Sequence, residues 1–378
     1  MFNWIQKSSM SLGQLAIPIF ILFVIVIAMM GYTILRLRNR LKQLTRNMLG
    51  NLPELHTDEQ STAEPPPFTD RRFVDKADEA QRLIKTFQKF VPKQFVDHIK
   101  GKDAGSLELG IAAADEVAIL FCDIRGFTGL SEQMQPHELM KFLNSYFLRM
   151  NDAIHQNNGF IDKFIGDAIM ALFDHPGGNN SHKALDSIRA AIDLQAALFM
   201  YNQQRNSVDY PPIEIGVGVH FGPVIIGTVG CDDRMDTTVI GDSVNISYRL
   251  ESLAPRYNAD IIVSCQLLDQ LSLDQKTEIA YRFVDFVRVK GRKEPIEVYE
   301  ILNHLPKDIQ LSRYKTGSMI QQGVEYRKHK DWKAAMKCFH GALMIDPEDS
   351  LIIHHMEQCH RMRLSELSGS SDGALNMV

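Results

Sequence analysis

The chain has 378 residues, 45% of them hydrophobic and 23% charged, with a net charge of −5. That is enough apolar material for one large domain or two ordinary ones, and too much for a disordered chain. The charge gives no case for a nucleic-acid partner, because phosphate contacts need Lys and Arg gathered on one face. Five cysteines, Cys122, Cys231, Cys265, Cys338 and Cys359, show neither CxxC pairing nor an even framework and read as reduced thiols.

Near the start, LAIPIFILFVIVIAMMGYTIL (Leu15 to Leu35) carries no charged residue over 21 positions. A helix of that length crosses a ~30 Å hydrocarbon core. A cleaved signal peptide is the rival reading, but the run exceeds the roughly 7–15 residues of its apolar region, and no small-x-small cleavage site follows. Arg36, Arg38, Arg40, Lys42 and Arg46 follow the span with no acid among them. The positive-inside rule then leaves residues 1–14 outside and the bulk of the chain in the cytoplasm, on a single-pass anchor in the cell (inner) membrane.

Residues 36–70 form a basic collar and a linker with three prolines, Pro65 to Pro67, unable to bury enough apolar surface to order itself. Over 71–113, Phe73, Ala77, Ala80, Leu83, Ile84 and Phe87 recur at helical spacing. An amphipathic helical linker, suited to pair with the same helix of a second chain, is expected there.

From 114 to 304 strand-like and helical segments alternate. Val117 to Cys122 reads as a buried strand, Gln135 to His155 as a helix, and FIDKFIGDAIMALF as two strands around a Gly166-Asp167 turn. His182 to Asn202 and Asp242 to Leu253 are expected helices, and EIGVGVHFGPVIIGTVG reads as strand, loop, strand. Ile261 to Ser264 and a hairpin over FVRVKGRKEPIEVYEI complete an α+β domain with helices packed on a sheet. Farther on, Gly323, Tyr326, Ala335, Phe339, Ala342 and Pro347 follow the small-large pattern of a tetratricopeptide-like helical segment over 315–365, ahead of a disordered tail, 366–378. One repeat cannot bury a continuous core, so it should dock on the preceding domain, on another chain or on a protein partner. His354, His355 and His360 read as structural or solvated rather than as metal ligands.

Two acids carry the chemistry. Asp123 ends a buried strand and Asp167 sits in the neighbouring turn. They read either as a helix cap and a turn residue or as paired hard-oxygen ligands for Mg²⁺ with a polyphosphate. The Ile124-Arg125-Gly126-Phe127-Thr128 turn enters a helix and is placed to offer amide N–H groups to that phosphate.

Four blocks, FCDIRGFTGLSE, GFIDKFIGDAIMALF, GVGVHFGPVIIGTVG and TTVIGDSVNISYRLE, resemble in order and spacing the catalytic domain of the class III nucleotidyl cyclases, of the membrane-anchored, bacterial-like adenylate cyclase type. The resemblance implies a ferredoxin-like α+β domain working as a head-to-tail homodimer with shared sites. It implies metal ligands at Asp123, Ile124 and Asp167 for two Mg²⁺ or Mn²⁺ ions per site. Asn245 would orient the ribose and Arg249 would stabilise charge on the α-phosphoryl oxygens; Phe127, Thr128, Lys290 and Arg292 would lie near the triphosphate. Members that use ATP carry a lysine and an aspartate or threonine where this chain has Lys163 and Thr238, whereas guanylate cyclases carry glutamate and cysteine. A lysine ammonium donates to adenine N1 and a threonine hydroxyl accepts from N6. ATP is thus the implied substrate, with a guanylate cyclase or a catalytically silent nucleotide-binding module as alternatives. Asp236, two residues before Thr238, stands at the wrong offset to be the specificity residue.

Overall fold

Strand β1 (Ala112–Ile124) divides the core into two layers by simple alternation. The computed structural model describes residues 71–87, 112–174, 178–231, 233–288 and 295–367. The chain divides into Met1–Arg71 and Arg72–Val378, and the architecture below is that of the second unit. The expected membrane span, the collar and linker, residues 88–111 and most of the expected tail lie outside the described residues. Among the described residues no helix is long and apolar enough to cross a membrane. Helix α1 (Arg71–Phe87) opens the described chain and exposes Leu83 and Ile84.

An eight-stranded sheet is assembled from β1, β2 (Phe160–Ile165), β3 (Ala168–Phe173), β4 (Ile215–Cys231), β5 (Arg234–Ile240), β6 (Ile261–Ser264), β7 (Tyr281–Val287) and β8 (Ile296–Ile301). Its order is β2-β3-β1-β4-β6-β8-β7, with β5 paired to β4. Every pairing is antiparallel except β4 with β6. On one face Ala118, Leu120 and Cys122 pack with helices α3 (Pro136–Gln156) and α4 (Asn180–Asn206), through Tyr146, Met150, Ile188 and Leu194. On the other, Val117, Ile119 and Phe121 pack with Met170, Leu172, Val224 and Ile226, under helix α5 (Asp242–Tyr257). Local signals agree with these helices: Pro136 and a Gln135–Glu138 capping box start α3, and Asn179 accepts from the His182 amide at the start of α4.

The expected loop inside EIGVGVHFGPVIIGTVG does not form; β4 runs unbroken for 17 residues. Gly216, Gly218 and Gly222 serve contact with a helix rather than a turn. A Cβ on Gly218 would lie 2.2 Å from the Glu251 backbone nitrogen, and one on Gly222 2.6 Å from Ser243 Oγ. Glycine in a strand interior here marks close approach of another backbone. Two short helices, α6 (Cys265–Asp269) and α7 (Leu273–Glu278), and strand β5 were not anticipated; caps from Ser264 and Ser272 start the helices.

The described chain closes with three helices, α8 (Lys307–Lys328), α9 (Trp332–Leu343) and α10 (Ser350–Leu367). Gly323 meets the Phe339 ring, where a Cβ would come within 2.4 Å. Ile320, Val324, Phe339 and Ile352 share one core with Ile246 and Leu250 of α5 and Phe283, Val284 and Val298 of the sheet. The helical segment thus docks on the preceding domain of its own chain. Buried charges cross that junction. Arg282 Nε donates to Glu300 (2.6 Å) and its terminal nitrogens bond Asp349; Arg327 donates to Asp285 (2.7 Å) and to His355 Nδ1 (2.9 Å). Because Nδ1 accepts, His355 donates from Nε2 to the Val284 carbonyl (2.9 Å) and is neutral.

Burial pushes the His355 imidazole down to about 3, with the Asp285 charge opposing and Arg327 reinforcing. The unfolded chain, titrating at about 6.5, therefore binds a proton that the folded chain does not, and stability falls as pH drops from about 6.5 towards 3. Measured by denaturant unfolding across that window, the chain is expected to lose ~1.4 kcal/mol per pH unit more than His355→Gln, in which this titration is gone.

Candidate active site

Asp123 continues the phase of Val117, Ile119 and Phe121, so its side chain emerges on the α5 face of β1. Asp167 follows Gly166, whose φ of 66° lets the chain reverse between β2 and β3. Cys122 pairs with Ile169 across β1 and β3, which brings the turn to the end of β1. There the Ile124 amide donates to both acids, to Asp123 Oδ1 at 3.0 Å and Asp167 Oδ2 at 3.3 Å. Burial, followed by the hydrogen bond and charge of Asp123, pushes the Asp167 carboxyl up to about 7. Two carboxylates crowded this way fit a divalent cation, whose charge would relieve the crowding. No group of three or more His, Cys, Asp or Glu that could hold a metal occurs among the described residues, so phosphate oxygens, backbone or water would fill the remaining positions.

The turn after β1 is less available to phosphate than its sequence implies. The Ile124 amide is committed to the two acids, and the Arg125 amide donates to the Glu214 carbonyl at 2.9 Å. The Arg125 guanidinium bonds the Ala259 carbonyl (2.6 Å) and pairs with Glu214 and Asp260, tying the turn down. Gly126, at φ 67°, opens a short helix α2 (Phe127–Ser131) with no side-chain cap. Phe127 packs half-buried against the core and Thr128 is exposed.

A bulge in β2 between Ile161 and Lys163 breaks the alternation of the strand. Consecutive side chains therefore meet: Lys163 Nζ lies 3.5 Å from Asp162 Oδ2. The same ammonium donates to Thr238 Oγ1 at 2.9 Å and stands 4.0 Å from Asp236. Residues 75 positions apart in the chain are thus brought together. Asp162 is buried with neither oxygen hydrogen-bonded, and burial pushes its carboxyl up to about 6 against the Lys163 charge. Among the described residues the Lys163–Thr238 pair makes no hydrogen bond or ion pair with Asp123 or Asp167.

Helix α5 presents Asn245, exposed, and Arg249, half-buried, one turn apart. Its inner face holds Ser247, whose hydroxyl donates to the Ile119 carbonyl (2.7 Å), and Glu251. Glu251, missed in the sequence, sits at Gly216, the register partner of Asp123; a Cβ on Gly216 would lie 2.9 Å from Glu251 Oε1. Burial and then the Asp123 charge push the Glu251 carboxyl up to about 7, against Arg125. Its only sequence signal was a carboxylate on a helix face otherwise apolar or small. Lys290 and Arg292 lie outside the described residues.

Residues 110–303, about half the chain, match the family Adenylate and Guanylate cyclase catalytic domain. The chain belongs to this family. An adenylate cyclase of Anabaena cylindrica is 41% identical over 226 residues, which cover 58% of this chain and 43% of that protein. The terminal-differentiation-specific adenylate cyclase of Dictyostelium discoideum is 33% identical over 282 residues, 74% of this chain and 13% of that one. The chain thus spans less than half the length of these relatives. The structure of a bacterial light-regulated adenylyl cyclase superposes with a TM-score of 0.53 at 22% identity, over 67% of this chain and 70% of that one, a likeness of fold. In this cyclase domain, Asp167→Asn removes one of two facing carboxylates. Saturable Mn²⁺ binding, followed by electron paramagnetic resonance, is expected to be lost, while metal-free thermal stability at pH 8 rises.

Proposed function

We propose that the chain is an adenylate cyclase, converting ATP to 3′,5′-cyclic AMP and pyrophosphate as a homodimer in intracellular signalling. The observation that carries the choice of base is the 2.9 Å bond from Lys163 to Thr238. It leaves the ammonium further protons for adenine N1 and the hydroxyl a second lone pair for the N6 amino group. The names of the Anabaena and Dictyostelium relatives support the same substrate.

In this reading Asp123, Asp167 and the Ile124 carbonyl would hold Mg²⁺ or Mn²⁺, two ions per site, which when bound neutralise triphosphate charge and lower the pKa of the 3′-hydroxyl. The 3′-oxygen attacks the α-phosphorus as the bond to pyrophosphate breaks. Arg249 of the second subunit donates to the developing phosphoryl charge, and Asn245 holds the ribose. Phe127, Thr128, Lys290 and Arg292 flank the triphosphate. Lys163 and Thr238 serve the nucleotide whose metals the other subunit holds, so two chains complete each site. Residues 15–35 would anchor the pair in the cell membrane with the domain in the cytoplasm, raising the local concentration for dimerisation. The tetratricopeptide-like helices would offer their outer surface to a protein partner.

The test uses the full chain with Mn²⁺ and either ATP or GTP. Cyclic AMP is expected to exceed cyclic GMP, and a Lys163→Glu, Thr238→Cys double variant to shift towards GTP; equal or better GTP turnover by the unaltered chain sinks the base assignment. Asp123→Ala and Arg249→Ala should each be inactive alone. Mixing them should restore roughly a quarter of the activity, since about half the dimers are mixed and each has one intact site. No recovery would count against the shared site.

A further inference from the structure

On the sheet face away from α5, a cavity of about 650 Å³ opens between α3 and the C-terminal end of α4. Phe142, Tyr201 and Tyr210 wall it, and Lys141, Arg149 and Arg205 line it. None of these belongs to the nucleotide site described above.

Arg205 is the unusual member. It is only 6% exposed, and its Nε donates to the Pro211 carbonyl at 2.8 Å. Its guanidinium lies over three rings, 5.1 Å from Phe142, 5.7 Å from Tyr201 and 5.5 Å from Tyr210. Among the described residues no carboxylate pairs with it, and Nη2 is buried without a hydrogen-bond partner. Ring faces offset part of the cost of burying a cation, but they leave the Nη2 donors unmatched.

The surroundings deepen the imbalance. Arg149 donates to the Ser145 carbonyl and to Gln204, neither of them charged. Lys141 has no ion-pair partner among the described residues. The one carboxylate in the lining, Glu138, accepts from the Gln135 amide at 3.1 Å to cap α3. Three cations, none of them ion-paired among the described residues, therefore share with one carboxylate an aromatic-walled cavity large enough for a small ligand.

We propose that this cavity is a binding site for a small organic anion, an oxyanion group on a flat apolar body, taken by the guanidinium of Arg205 and by Lys141 with the body against Tyr201 and Tyr210. Carboxylates and phosphates both match a guanidinium fork, so the two sources are separated by experiment.

Titration calorimetry of the full chain would compare benzoate and phenyl phosphate with acetate and inorganic phosphate. One benzoate or phenyl phosphate per chain is expected to bind saturably, and whichever binds tighter names the oxyanion. Acetate and inorganic phosphate, lacking the apolar body, should bind more weakly. Lys141→Glu and Arg205→Gln should each weaken binding roughly tenfold or more. Lys141 is exposed, so Lys141→Glu decides the matter if Arg205→Gln fails to fold. Saturable binding by none of the four anions, or binding left unchanged in Lys141→Glu, would overturn the proposal.

Discussion

The contact on which the site depends is between two backbones. Ser247 of α5 hydrogen-bonds the carbonyls of Ile119 and Gly218 at 2.7 and 3.1 Å, closer than any larger residue at 218 would allow. A helix seated this low has no freedom to roll. Its inward face delivers Glu251 beside Asp123, and its outward face carries Asn245 and Arg249 on a rigid element. Had position 216 or 218 carried a side chain, the helix would ride higher and the acid and the arginine would shift together.

The nucleotide-binding parts differ in polarity. At the end of β1, burial first and then the neighbouring Asp123 raise the Asp167 and Glu251 carboxyls to about 7. Along β2, Asp162 instead faces a lysine, and that lysine is oriented by a hydroxyl. A triphosphate with its cations suits the first environment and a neutral base with one acceptor and one donor suits the second. The same chain therefore keeps Asp123 with Asp167 and Lys163 with Thr238 as two separate groups.

Much of this was legible in the residues because it is local. Gly166-Asp167 announced a reversal, the apolar run of Val117 to Cys122 announced a buried strand, and Ile261 to Ser264 fell where expected. What failed to show was determined by contacts distant in sequence. The glycines of β4 looked like loop residues because the helix they admit lies some thirty positions on, and Glu251 went unread for the same reason. The Arg125 amide looked available to phosphate until the Glu214 carbonyl, far along the chain, claimed it. The bulge that turns Asp162 towards Lys163 leaves no mark in the FIDKFI alternation.

The ion network of Arg282, Glu300 and Asp349 bears on how such a domain can be recombined. The first two residues lie on the sheet and the third just before α10, all essentially without solvent exposure. Replacing the C-terminal helices would take Asp349 from Arg282 and leave it Glu300 as its acidic partner. A cut at the end of β8 would remove Asp349 from Arg282, whereas a cut after α10 keeps the network whole.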